Sequence, residues 1–201
     1  MRKIPKSDLH NHGTRGGNKR YIGDYYGITI PKPPKFNNLH EMNQWNSENI
    51  KPFIKGKAGY EKRIEAAFIQ VKLDGVKVLD MCFEIGEASE YGGSVEKMVQ
   101  ALKGLHNTFA ADITFIPGIA LGSYYPMDEI SRGLEEFLAQ DYFKSLDIYG
   151  EEEDVLKFKK IFRKAKDKGL ILKAHVGEFG SAELVQRAVE ELELDQVQLT
   201  I

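Results

Sequence analysis

Residues 170–194, LILKAHVGEFGSAELVQRAVEELEL, hold one strand, one turn and one helix in sequence. The apolar run from Leu170 to Ala174 reads as a buried strand that ends on His175. Gly177 and Gly180 break the run, and Ser181 is a helix N-cap for the segment that follows. A histidine at the end of a buried strand, with Glu178 in the next turn, places ionisable groups where α/β proteins build their sites. This unit therefore bears on both the architecture and the chemistry.

The same rhythm extends outward in both directions. Upstream, residues 151–169 start with acids and end with bases, as a helix dipole favours, so the acidic run reads as a helix start and not as a metal site. Before it lie a strand over 143–150, a helix over 126–140, a strand over 113–121, a helix over 94–110 and a strand over 76–86. A helix over 59–75 carries Ile64, Ala67, Phe68 and Val71 at helical spacing. The first strand runs from about Lys6 to His12, and 196–201 reads as a sixth. Strand and helix thus alternate five times, the pattern of a parallel sheet wrapped by helices. Two architectures remain: an open doubly wound sheet and an incomplete (β/α)8 barrel. No G-x-G-x-x-G opens the first βα turn, which disfavours the dinucleotide-binding sheet. A full barrel takes about 250 residues, so 201 residues supply about five βα units and the start of a sixth strand. Residues 13–58, rich in glycine, proline and aromatics without a sustained apolar period, read as an ordered insertion or lid within a single domain spanning 1–201. Its tyrosines, Phe36 and Trp45 are the expected anchors.

Composition narrows the function. A hydrophobic content of 42% supports a real core, and a net charge of -2 argues against broad phosphate neutralisation, hence against nucleic acid as partner. One cysteine, Cys82, excludes a disulfide framework and a cysteine-rich zinc module. It lies within an apolar strand and reads as a core thiol. The N-terminus has no apolar signal region and no stretch approaches the roughly 18 apolar residues of a membrane span, so a cytoplasmic location without membrane contact is expected. His40, in the insertion, and His106, near a helix end, read as structural.

His10 and His12 stand two apart at the end of the first strand, so both imidazoles face one side. His175 supplies a third at the end of another strand. Three neutral imidazoles suit one Zn2+ ion and leave a position for water. Glu178, just past His175, is placed to manage a proton beside that water, and Asp147, at the end of the "SLD" strand, is a pocket candidate.

PKSDLHNH (5–12), KAHVGEFGSAELVQRAVEEL (173–192) and SLDIYGEEE (145–153) resemble the signatures of the adenosine deaminase family, in the amidohydrolase superfamily of metal-dependent hydrolases. The H-x-H alone is common across that superfamily; H-x-G-E before a small-residue helix start is the more specific mark. The resemblance implies a (β/α)8 barrel in which His10, His12 and His175 hold zinc. It makes Glu178 the catalytic carboxyl that protonates the purine ring while zinc-activated water attacks the amine-bearing carbon. It makes Gly150 a backbone contact to the base, with Thr14, Asp147 and Gly177 completing the substrate pocket. The implied reaction removes the exocyclic amine of a purine nucleoside or related base as ammonia.

The motif is departed from in three places. Where the family has L-D-G after the second histidine, this chain has Gly13, Thr14 and Arg15, so Thr14 replaces a sugar-holding aspartate and Arg15 is either a solvated loop residue or faces a charged substrate group. Leu199 stands where a water-orienting histidine is expected. The sequence ends at Ile201, before the strand that bears a fourth zinc ligand. The expectation is a deaminase truncated after the fifth βα unit. The alternative is a catalytically incompetent barrel fragment that associates with a partner chain, or with a second copy, through its open edge.

Overall fold

The six strand candidates pair in the order in which they occur. The computed structural model describes residues 4–53 and 55–198. In it β1 (Lys6–His12), β2 (Val76–Glu84), β3 (Thr114–Gly122), β4 (Ser145–Tyr149), β5 (Ile171–His175) and β6 (Gln196–Gln198) form one parallel sheet in sequential order. A doubly wound sheet reverses its order at a switch point; this one does not. The sheet is also curled. In a flat sheet β1 and β5 would lie roughly 19 Å apart, four strand spacings. Instead His10 of β1 and His175 of β5 bring their Nε2 atoms to 2.9 Å, and Gln198 of β6 donates to the Leu9 carbonyl at 3.2 Å. The fold is a curled partial barrel.

Alternation along each strand separates two faces. Leu79, Met81, Phe83, Ile119, Leu121, Leu146, Ile148, Leu172 and Ala174 join the main core. Helices α3 (Gly56–Leu73), α4 (Val95–Phe109), α5 (Met127–Leu138), α6 (Lys159–Asp167) and α7 (Ala182–Leu192) cover that face. The inner face carries Asp80, Cys82, Ser145, Asp147, Lys173 and His175, all buried. Ser181 caps α7 by accepting from the Leu184 N–H, and Ser94 does the same for α4 from Lys97. His106 is structural: its Nε2 lies 3.0 Å from the Ile113 carbonyl, and its ring packs on Phe68 and Phe115.

Two expectations change. The helix read over 151–169 is split into a 3-10 segment, Glu152–Phe158, and α6. The Glu151 N–H is held by Ser123 Oγ and the Glu152 carboxylate is turned inward, while the tighter winding brings Val155 and Phe158 into the core. Residues 13–58 are not irregular throughout, since they contain α1 (Lys19–Tyr26) and α2 (Leu39–Asn49). Asn18 caps α1, Gly27 ends it at φ +66°, and Asn38 caps α2. Ile22 and Ile50 meet Ala66 of α3 in a second small core, with Tyr21, Tyr26 and Trp45 packed against it. Gly17 seats the loop before α1 against α3: a Cβ there would lie 2.9 Å from the Arg63 carbonyl oxygen and 3.1 Å from the Ala66 Cβ. No other residue allows so close an approach.

Candidate metal centre

β1 does not present its histidines through a regular strand. Between Asp8 and Asn11 it holds one residue more than β2 does, a bulge of the kind that re-aims side chains beside active sites. The Asp8 carboxylate stabilises the bulge by accepting from the His10 N–H at 3.2 Å and the Asn11 amide at 2.8 Å.

The three Nε2 atoms of His10, His12 and His175 form a triangle with edges of 2.9, 3.3 and 3.3 Å. Around a tetrahedral zinc with N ligands at 2.0–2.1 Å, adjacent ligand atoms stand about 3.3 Å apart. Two edges match and the third is slightly short. The tautomer also fits. His175 Nδ1 lies 3.2 Å from Asp147 Oδ1 and 3.3 Å from the Ile148 carbonyl, two acceptors, so Nδ1 carries the proton and Nε2 keeps its lone pair.

The electrostatics favour a cation at the cluster. Burial lowers His10 and, with neighbouring positive charge, pushes His12 down to about 3, so both rings are neutral at ordinary pH. Burial also depresses His175, but the Asp147 hydrogen bond and charge outweigh it and raise the group overall. Burial likewise works against the Asp147 carboxylate, and His175 overcomes it, holding Asp147 below its usual range. The second Asp147 oxygen, Oδ2, is buried without a partner among the described residues. These residues fit a divalent metal.

Around the cluster, Glu178 sits in the turn after β5, near enough to His10 and His175 for its charge to raise both. That turn is held by Glu152, whose carboxylate accepts the N–H groups of Gly177, Phe179 and Gly180. The Gly177 N–H is therefore taken by a protein group. Gly150 follows β4 at φ +120°, where a Cβ would strike Ser123, so only glycine suits the position. Cys82 is a free thiol buried on the inner face of the sheet, and burial pushes it up to about 12. The Leu199 position lies outside the described residues. Glu84, a strand-end acid able to project into the pocket, gathers two tyrosines that sequence reasoning did not single out: it accepts from Tyr124 at 3.0 Å and from Tyr149, whose ring stands 6.0 Å from His12. The places of Tyr149 at the end of β4 and of Tyr124 just past β3 were the available signal.

The Thr14 hydroxyl donates to Glu87 at 2.9 Å, and Glu87 also accepts from Tyr60 and the Glu84 N–H. Burial, then the Glu84 charge, raises Glu87 to about 7. The folded chain thus binds this proton more tightly than the unfolded chain between the two pKa values. Stability is greatest below the unfolded value and falls as pH rises towards 7, by up to about 3 kcal/mol. Glu87→Gln is expected to flatten that slope in urea denaturation across pH 4.5–8; an unchanged slope would assign the dependence elsewhere.

No family model matches the sequence. A Treponema pallidum protein described as "Putative adenosine/adenine deaminase" is 27% identical over 200 residues, covering 98% of this chain and 67% of that one. By sequence, this chain is a relative of that protein. Solved structures agree on the fold. An adenine deaminase from Arthrobacter aurescens superposes with a TM-score of 0.74 at 17% identity, over 95% of this chain and 63% of that one. An amidohydrolase from Burkholderia ambifaria with bound Zn gives 0.73 at 18% identity, over 98% and 58%. The chain thus spans about three-fifths of the length of these two structures and shares their fold over that span.

Proposed function

We propose that His10, His12 and His175 bind one zinc ion and that the chain supplies the metal and proton-handling side of a purine aminohydrolase. The observation that carries this reading is the convergence of three Nε2 lone pairs, with the His175 tautomer held by Asp147. Zinc in such a site acts as a Lewis acid that makes water nucleophilic near neutral pH. The protein's own groups do the rest. Asp147 keeps His175 in the ligating tautomer. Glu178 delivers a proton to a ring nitrogen of the purine, which makes the amine-bearing carbon more electrophilic. Glu152 fixes the turn that carries Glu178. Gly150 brings backbone close to the base, and Thr14 and Gly177 border it. Residues 13–58 cover the mouth. The substrate is a purine nucleoside or base that loses its exocyclic amine as ammonia, and the setting is the cytoplasm. Among the described residues no helix is long and apolar enough to cross a membrane.

The primary test is zinc content after exhaustive dialysis, with one equivalent per chain expected. A chain that takes up no zinc at saturating concentration would refute the proposal. A second test isolates Glu178. Glu178→Gln keeps size and removes the transferable proton, so ammonia release should fall by about 10²–10⁴ while zinc content stays constant. Equal activity in the variant would remove Glu178 from the reaction.

A further inference from the structure

A cleft of about 450 Å³ opens at the end of the strands opposite to the histidines, between the second half of α4 and residues 139–144. Its volume falls within the roughly 300–1,000 Å³ of small-molecule sites. Pro117 explains why the cleft exists. Its carbonyl accepts the Lys144 N–H at 2.8 Å, but it has no N–H of its own to extend the ladder upstream. Pairing of β3 with β4 accordingly begins only at Gly118 and Ser145, and the chain before Ser145 leaves the sheet. Phe143 turns into the core, stacked on Phe137, while Tyr142 takes the cleft side.

The lining has an aromatic and a charged part. On one side the rings of Phe115 and His106 lie 5.0 Å apart, and the latter is fixed by its contact with the Ile113 carbonyl. Tyr142 also lines the cleft, with Lys103 Nζ 5.2 Å over its ring. Burial pushes the Tyr142 hydroxyl above its ordinary value, yet among the described residues it has no hydrogen-bond partner. A largely desolvated donor of this kind usually finds an acceptor.

The charges at the rim are not spent on one another. Lys144 Nζ reaches only the Asp141 carbonyl, at 3.4 Å. Among the described residues, no carboxylate lies within 4 Å of Lys103 or Lys144, although Asp141 borders the cleft. Two ammonium groups and one carboxylate leave a single positive charge, which suits a monoanion better than a dianion.

We propose that this cleft binds a small aromatic monocarboxylate, its ring against Phe115, His106 and Tyr142 and its carboxylate between the ammonium groups of Lys103 and Lys144. The Tyr142 hydroxyl donates a third bond to the same carboxylate. The ring supplies apolar burial, and the charge-assisted bonds supply selection for the anion. This site is separate from the histidine cluster and does not depend on the reaction proposed above.

Equilibrium dialysis of the 201-residue chain with 2-naphthoate, and with the neutral 2-naphthylmethanol, tests the proposal. Saturable binding of one naphthoate per chain is expected, with the alcohol about tenfold weaker, as loss of a charged hydrogen-bonded group implies. Lys103 and Lys144 are exposed, so Lys103→Met and Lys144→Met spare the fold. Each should weaken naphthoate about tenfold and leave the alcohol unchanged. Tyr142→Phe removes only the hydroxyl and should weaken naphthoate several-fold. Lys157→Met, on an exposed residue outside the cleft, should bind as the unmodified chain does. Zinc uptake should be the same in all four variants. Absence of saturable naphthoate binding, equal affinity for naphthoate and the alcohol, or a loss in Lys157→Met as large as in Lys103→Met would overturn the proposal. So would naphthoate binding that neither cleft lysine variant weakens.

Discussion

A His175→Ala chain is expected to lose stoichiometric zinc, with affinity reduced by more than the 10–100-fold typical of losing a ligand's supporting partner. His175 is the histidine that joins the two ends of the curled sheet, for its Nε2 lies 2.9 and 3.3 Å from those of His10 and His12. Without it, the two β1 imidazoles remain as a pair on a bulged edge strand, too few for a closed site. Asp147→Asn should retain the three ligands and fall within the 10–100-fold range, because an amide can present its NH2 to Nδ1 and favour the wrong tautomer. His106→Ala is the control, since that ring bonds the Ile113 carbonyl on the apolar side of the sheet. Competition against a chromophoric chelator measures all three. The ranking His175→Ala well below Asp147→Asn, with His106→Ala at wild type, is the expected result; equal affinities for His175→Ala and wild type would remove the histidines from metal binding.

The parallel sheet and the cluster of three histidines were legible because each rests on a local signal. An apolar run ending in histidine marks a strand end, and alternation of strand and helix marks a parallel sheet. Other features depend on register between distant strands. That Asp147 meets His175 follows from β4 and β5 lying side by side, and no local pattern in "SLD" or "LKAH" contains it. The α1 and α2 helices were missed because their buried anchors are few: Ile22 in one, and Trp45 with the following Ile50 in the other. Their caps, Asn18, Asn38 and Gly27, were present as signals. Glu152 was read as a helix-start acid because its sequence neighbours are acids; its carboxylate instead organises a turn about 25 residues away in the chain.

Lys173 is the least foreseeable of these residues, and its replacement should have the largest effect on stability. It interrupts the apolar run "LILKA", and a lysine is almost never fully buried unless paired. Here it is 1% exposed and faces the inner side of the sheet. Its Nζ lies 2.8 Å from Asp80 Oδ1 and 3.2 Å from Cys82 Sγ, and Ser145 Oγ donates to the same Asp80 oxygen at 2.9 Å. Burial opposes its charge, but Cys82 and Asp80 outweigh it and raise Lys173 above its ordinary value, so the ammonium is retained. Lys173→Met removes that charge and strands Asp80, of which Oδ2 already lacks a partner among the described residues. The loss expected from an uncompensated buried charge is about 3–5 kcal/mol, or a Tm lower by about 10 °C for a chain of this size. Asp80→Leu should do comparable damage by stranding the lysine. Removing both partners leaves no orphaned charge, so the Asp80→Leu, Lys173→Met double variant should be more stable than either single one, with a coupling of several kcal/mol in the double-mutant cycle. Urea unfolding of the four proteins measures that coupling. Additive losses would mean that the ion pair contributes only the sum of its packing, and that the polar inner face is held by other contacts.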